Sequence, residues 1–193
     1  MIQLKILDEK EICKIYEEHV KIDFPPEELK PLPMILTLKK QEIYCCYGLY
    51  DNEEFVAYAF FAKPETIDYL LLDYLAVCKN YRSRRYGSRF LKLLQKELKD
   101  YQGILFEVES GVDSKTEKEK QICERRIAFY LRNGLTKTKI NIKLFGVDMI
   151  LLYLKIQGLP SEKTMSEALN HIYDLVFGEE THRREIFCRI VEE

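Results

Sequence analysis

The residues best suited to chemistry cluster in one run, Cys78–Lys79–Asn80–Tyr81–Arg82–Ser83–Arg84–Arg85–Tyr86–Gly87–Ser88. It follows Tyr69–Val77, a nearly continuous apolar stretch that reads as a central strand buried on both faces. It leads into Tyr86–Leu98, where Phe90, Leu91, Leu94 and Leu98 recur at helical spacing. A strand that ends in a tight turn opening a helix presents several unpaired backbone N–H groups at one point, and the helix dipole adds partial positive charge there. An anion, above all a pyrophosphate, is favoured at such a place. Gly87 lets the backbone come close to that ligand, and Lys79, Arg82, Arg84, Arg85 and Arg89 surround the turn with cations.

Three carboxylates could move a proton. Asp73 sits alone in the apolar strand, where desolvation would raise its pKa toward a range useful for a base. Glu107 and Glu109 lie two apart on a further predicted strand, Ile104–Glu109, so they share a face and could bind or deprotonate a cationic group. Each candidate also has a structural reading. The arginines could be a solvated helix start, Tyr130 a packing residue on its apolar stripe, Asp73 a hydrogen-bonding group in the core, and the two glutamates salt-bridge partners. The six cysteines show no CxxC spacing, and with three scattered histidines they give no metal-ligand cluster, so no metal is expected. They read as buried small hydrophobes, Cys45 and Cys46 pointing to opposite faces of their strand. No cysteine stands in a nucleophile motif, so no covalent intermediate on a cysteine is expected.

The elements that must position these groups follow from periodicity and punctuation. Ile2–Leu7 reads as a strand, and Asp8 with Glu11 as a capping box opening a helix. That helix lines up Ile12, Ile15, Tyr16 and His19, which makes His19 a packed or edge residue rather than a ligand. Pro25–Pro26 start a second helical piece and Pro31 and Pro33 end it, leaving Phe24–Leu38 irregular. Ile43–Tyr50 and Phe55–Ala62 form a hairpin about the polar quartet Asp51–Glu54. Ser110–Lys120 is a loop or a solvated helix turn, with Ser110–Arg126 a possible substrate lid. A helix from Ile122 then runs through Ile127, Tyr130 and Leu131 to a C-terminus at Asn133–Gly134. Leu135–Phe145 and Val147–Ile156 make a long hairpin joined near Gly146. After Gly158–Leu159–Pro160, Thr164 and Glu167 form a second capping box, and Met165, Ala168, Leu169, Ile172 and Val176 line one helix face. The order is that of a mixed α+β sheet.

These features together resemble the GNAT superfamily of N-acetyltransferases. Its signature, Gln/Arg-x-x-Gly-x-Gly/Ala after a strand, is matched by Arg82-x-x-Arg85-x-Gly87 at every position but Arg85. Leu75–Ala76–Val77 matches the apolar end of the family's fourth strand. Phe129–Tyr130–Leu131–Arg132–Asn133–Gly134–Leu135 is similar to its hydrophobic-Tyr-x-x-x-Gly-Phe helix end, with Leu135 in place of Phe. Cys123 stands where the family often has an asparagine. The resemblance implies a GNAT domain over residues 1–157, a central mixed sheet flanked by helices, and a C-terminal helical extension over 158–193. It implies acetyl-CoA as acyl donor and a small-molecule or peptide primary amine as acceptor. Leu75 and Val77, with Ala76 between them, would offer backbone groups to the acyl carbonyl and pantetheine arm. Arg82 and the backbone of Ser83, Arg84, Arg85, Tyr86, Gly87 and Ser88 would hold the pyrophosphate. Tyr130 would protonate the departing thiolate, a role suited to a phenol of reference pKa about 10. Asp73 and Glu109 are the candidate bases, and Glu107 a substrate-binding residue. The alternative is a non-catalytic acyl-CoA sensor or partner-binding module on the same fold.

The bulk composition narrows the partners. Thirty basic and 32 acidic residues leave a net charge of −2, which argues against a whole-protein footprint for nucleic acid or anionic membrane, despite the Tyr and Arg interleaved over Tyr81–Arg89. The 193 residues suit one domain with a small appendage, as a monomer or homodimer. Met1–Ile6 is followed at once by the charged run Asp8–Glu11, so no signal peptide is read, and no apolar stretch is long enough to span a bilayer, which makes a cytoplasmic location the expectation.

Overall fold

A computed structural model describes residues 1–191, and the chain forms two compact units within it. The first comprises Met1–Glu65 and Leu72–Leu98, the second Thr66–Leu71 and Lys99–Glu193 as far as it is described. Glu192 and Glu193, the end of the predicted extension, lie outside the described residues.

The first unit opens with β1 (Ile2–Ile6) and α1 (Glu9–Ile15), which continues through a π turn at Tyr16–Val20. Both halves of the Asp8–Glu11 capping box are made, at 2.8 and 2.9 Å, so two orphan donors of the helix start are satisfied locally. Ile12, Ile15, Tyr16 and Val20 are buried, and the His19 ring sits 5.3 Å from that of Phe55 as a packed aromatic. A 3-10 turn at Pro26–Glu28, the helical piece expected at Pro25–Pro26, precedes α2 (Leu32–Lys40), most of which lies in the segment predicted irregular. Pro31 is the N-cap and Pro33 falls in the first turn, where no N–H is needed, so both prolines start this helix rather than break the chain there. Met34 N–H donates to the Pro31 carbonyl at 2.9 Å and closes that turn.

β2 (Tyr44–Asp51) pairs antiparallel with β1 and with β3 (Glu54–Ala62). Asn52 and Glu53 both have positive φ, 49° and 72°, as a two-residue hairpin turn of matching twist demands. β4 (Tyr69–Val77) has the predicted bounds, with residues 72–77 belonging to this unit, and α3 (Tyr86–Glu97) buries Phe90, Leu91 and Leu94. Strand order here is β1-β2-β3-β4.

The second unit is ordered β5-β7-β6-β8, each neighbour pair antiparallel. β5 (Gly103–Glu109), β6 (Leu135–Leu144) and β7 (Val147–Lys155) stand close to the predicted bounds. A bulge between Lys137 and Asn141 is closed by Thr138, whose buried hydroxyl donates to the Leu151 carbonyl at 2.9 Å and accepts from Ile140 N–H at 3.1 Å. α4 (Glu117–Arg132) begins five residues before Ile122, because Thr116 and Glu119 make a capping box within the charged run. Its end is as predicted, with Gly134 at φ 90°.

In the tail, α5 (Glu162–Phe177) buries Met165, Ala168, Leu169, Ile172 and Val176, together with Tyr173. Its N-cap is Ser161, not Thr164. The Ser161 hydroxyl accepts from Thr164 N–H at 3.1 Å, which places Thr164 inside the first turn. α6 (Glu179–Glu185) and β8 (Ile186–Ile190) carry no signal that periodicity singled out. β8 pairs with β6, so the tail adds a strand to this unit's sheet. Among the described residues no helix is long and apolar enough to cross a membrane.

Candidate active site

In the first unit, β4 delivers the chain to the cationic turn. Cys78 N–H donates to the Val56 carbonyl at 2.9 Å and ties the strand's exit to β3. One 3-10 turn, Lys79–Tyr81, follows, and the backbone then reverses through two left-handed residues, Ser83 and Arg85, each at φ 63°. Arg85 is the N-cap of α3, and no side chain caps that helix. The first-turn N–H groups therefore lack the local acceptor that Asp8, Thr116 and Ser161 supply to their helices. Ser83, Arg84 and Arg85 are exposed, and Tyr86, Gly87 and Ser88 are half-buried.

Two tyrosines brace the turn against the β2–β3 hairpin. Tyr81 donates to Glu54 at 2.6 Å and Tyr86 to Asp51 at 2.8 Å, and the two rings meet edge to face at 5.9 Å. Arg84 lies over the Tyr81 ring, 5.7 Å from its centroid. Arg82 folds back instead of standing over the turn. Its Nε donates to the Val77 carbonyl at 3.0 Å, and its guanidinium meets Asp23 at 2.5 Å, with Tyr58 donating to the other Asp23 oxygen at 3.0 Å. Arg82 thus locks the end of β4, and it occupies one of the carbonyls expected to face a cofactor arm.

Asp73 is not alone in its strand. Lys30 Nζ lies 2.5 Å from one carboxylate oxygen, and the Tyr44 hydroxyl donates to the other. The Lys30 backbone is held on both sides, its N–H donating to the Tyr74 hydroxyl and its carbonyl accepting from Tyr16, each at 2.7 Å. Both Asp73 oxygens therefore have fixed partners. Lys30 lies 43 positions away in the chain, and only the general rule that a buried carboxylate needs a cation hinted at it.

The second unit holds the other candidates. Glu109 Oε2 accepts from Arg126 at 3.2 Å and from the Cys123 thiol at 3.6 Å. Burial, and then the Glu109 charge, push the Cys123 thiol up from its ordinary pKa. Among the described residues these contacts both fall on Oε2. Glu107, its neighbour on the same face of β5, accepts a hydrogen bond from Tyr173 of α5. Tyr130 is buried near the end of α4, with edge contacts to Phe106 at 5.1 Å and Phe129 at 5.4 Å. Desolvation pushes its phenol up to about 12, so the proton is held throughout the neutral range. Asp23, Lys30, Tyr44 and Arg126 were not singled out in the sequence, since each acts through a partner distant along the chain.

Comparison with known proteins bears on this arrangement. The family model for the Acetyltransferase (GNAT) family matches residues 11–134. No curated protein matches the chain by sequence. Among solved structures, a protein described as a GNAT-family acetyltransferase from Bacteroides thetaiotaomicron superposes with TM-score 0.74 at 21% identity, covering 91% of this chain and 98% of that one. The ribosomal-protein-S18-alanine N-acetyltransferase of Escherichia coli gives 0.59 at 19% identity, over 84% and 98%. A Bacillus subtilis acetyltransferase in complex with CoA gives 0.54 at 13% identity, over 80% and 99%. At these identities the likeness is one of fold, the mixed α+β sheet flanked by helices.

Proposed function

The chain belongs to the GNAT acetyltransferase family, and from that premise we propose that it transfers an acetyl group from acetyl-CoA to a primary amine by direct attack. One observation carries the reading: two left-handed residues, Ser83 and Arg85, lead into a helix of 12 residues that has no side-chain cap. That backbone directs N–H groups and the positive end of the helix dipole outward, the electrostatic complement of a pyrophosphate. Arg84 and Arg85 add charge beside it, and Arg82 serves by locking the turn to Val77 and Asp23.

In the proposed reaction the amine lone pair attacks the thioester carbon, forming C–N as C–S breaks. The departing sulfur takes the bonding pair and a proton from the Tyr130 hydroxyl. The proton lost by the amine goes to Glu109, whose Oε1 is the free carboxylate oxygen among the described contacts; Asp73 is committed to Lys30 and Tyr44. A Tyr130 phenol with pKa about 12 is a weaker acid than free tyrosine but never arrives deprotonated. Glu107 is held by Tyr173, which suits a fixed charge attracting a cationic acceptor more than a mobile base.

Calorimetric titration with CoA, paired with thiol release from acetyl-CoA over a panel of amines, tests the reading. Ser88→Asp places a carboxylate in the first helical turn, where the dipole tolerates it, yet it should weaken CoA binding by about tenfold or more. Tyr130→Phe should keep CoA affinity and lose turnover. Tight CoA binding with no turnover on any amine, unchanged by Tyr130→Phe, would favour the sensor reading. No heat with CoA would remove both.

A further inference from the structure

β8 presents an open sheet edge with unusually little to protect it. In the ladder with β6, Phe145 N–H donates to the Glu185 carbonyl at 2.9 Å and Val191 N–H to the Lys139 carbonyl at 2.8 Å. Hydrogen-bonded positions alternate along an antiparallel strand, so Phe187 and Arg189 also turn their backbone groups toward β6. Cys188 and Ile190 turn theirs outward, and the Ile186 carbonyl also points outward, while the Ile186 N–H is taken by the His182 carbonyl at the end of α6. Among the described residues β8 pairs with β6 alone. Natural edges are blunted by proline, bulges or several charges. The segment Ile186–Ile190 has no proline and no bulge against β6, and Arg189 is its sole charge. Its solvent-side neighbours are apolar: Phe187 is 57% exposed and Val191 41%.

We propose that this edge is a homodimer interface, in which β8 of two copies pair antiparallel about a twofold axis at Cys188. The occupant is argued from register. A twofold through the edge must bring a residue opposite itself in the second copy. Centred on Cys188, it sets Ile186 opposite the second copy's Ile190, Cys188 opposite itself and Ile190 opposite Ile186, for about four hydrogen bonds, the Ile186 N–H being already committed. Centred on Phe187, it makes only about two, and centred on Arg189 it makes about four but sets two guanidinium groups face to face. The Cys188 centre does the opposite. It places each Phe187 directly across from the other copy's Arg189, at cross-strand distance, where ring and cation attract. The strand is thus complementary to itself in the one well-bonded register that keeps the two guanidinium groups apart. This interface is independent of the acyltransferase reading, since none of its residues belongs to the proposed machinery.

Sedimentation velocity on the chain from about 1 to about 100 µM should show a concentration-dependent dimer. Phe187→Lys, at an exposed side chain, sets like charges opposite each other and should raise the dissociation constant about tenfold or more. Adding Arg189→Glu to that variant restores opposite charges across the axis and should recover the dimer. Amide exchange on the unmodified protein gives a readout that needs no variant. The amides of Cys188 and Ile190 should become protected as concentration rises, while those of Ile186, Phe187 and Arg189 stay protected throughout. A monomer across the whole range, a dimer indifferent to Phe187→Lys, or outward amides whose exchange ignores concentration would each overturn the proposal.

Discussion

At the scale of single residues, Arg85 is the sharpest departure from the signature the turn otherwise matches. It stands at φ 63°, in the left-handed region where a glycine pays no steric penalty and an L side chain loses about 1 kcal/mol. The family's glycine is thus absent while the conformation that calls for it is kept. Arg85→Gly should raise stability by up to about 1 kcal/mol, part of the gain being offset by the freer unfolded chain, and lift Tm by about 2–4 °C. If the guanidinium serves the pyrophosphate, the same variant should bind CoA more weakly and with a shallower salt dependence. Calorimetry and a thermal melt read both effects. The turn was legible because its parts are contiguous: strand, arginines, glycine and helix follow in order between Tyr69 and Leu98. Asp73 was misjudged as solitary because Lys30 and Tyr44 reach it only through the fold, from 43 and 29 positions away. Arg82 could be seen as a cation near the turn, but its commitment to Asp23, 59 positions away, could not.

At the scale of elements, the errors share a cause: punctuation was read without its position. The piece that starts at Pro26 does end before Pro31, but Pro31 and Pro33, at the N-cap and first turn, also begin α2. Thr164 and Glu167 fit a capping pattern, but Ser161, three residues earlier, does the capping, and Thr164 is the residue whose N–H it receives. Strands and helices with a strong apolar period, β4, α3 and the buried face of α5, came out close to their observed bounds. β8 has five residues and α6 is dominated by charge, too little for either period to register. The reassigned cap makes a discriminating prediction. Ser161→Ala removes the acceptor for Thr164 N–H and should cost about 1 kcal/mol, whereas Thr164→Ala, at an exposed helical position, should cost less than about 0.5 kcal/mol. Equal costs in urea denaturation would return the cap to Thr164.

At the scale of the whole molecule, both units bury acidic hydrogens that must stay in place. Cys78 is buried where β4 ends, and desolvation pushes its thiol up to about 11. In the second unit desolvation takes the phenols of Tyr130 and Tyr153 up to about 12. Tyr153 shares its single hydroxyl hydrogen between the carbonyls of Gln102 and Gly158, at 2.8 and 2.9 Å, so its proton also holds two loops together. These groups are neutral when protonated, and their folded pKa values lie above those of the unfolded chain, near 9 for the thiol and 10 for the phenols. Below pH 9 both states hold these protons and the groups make no difference to stability. Above it the unfolded chain releases them first, binds fewer protons than the native state, and gains free energy from the rising pH. Stability should therefore be flat from about pH 7 to pH 8.5, then fall as pH rises through 9 to 12. Urea midpoints at pH 7.5 and pH 10.5 measure the fall. Tyr153→Phe should be costly at both pH values, because it strips the donor from two carbonyls, while removing part of the alkaline decline. A midpoint that did not move between the two pH values would mean that these hydrogens are not shielded from water as the packing requires.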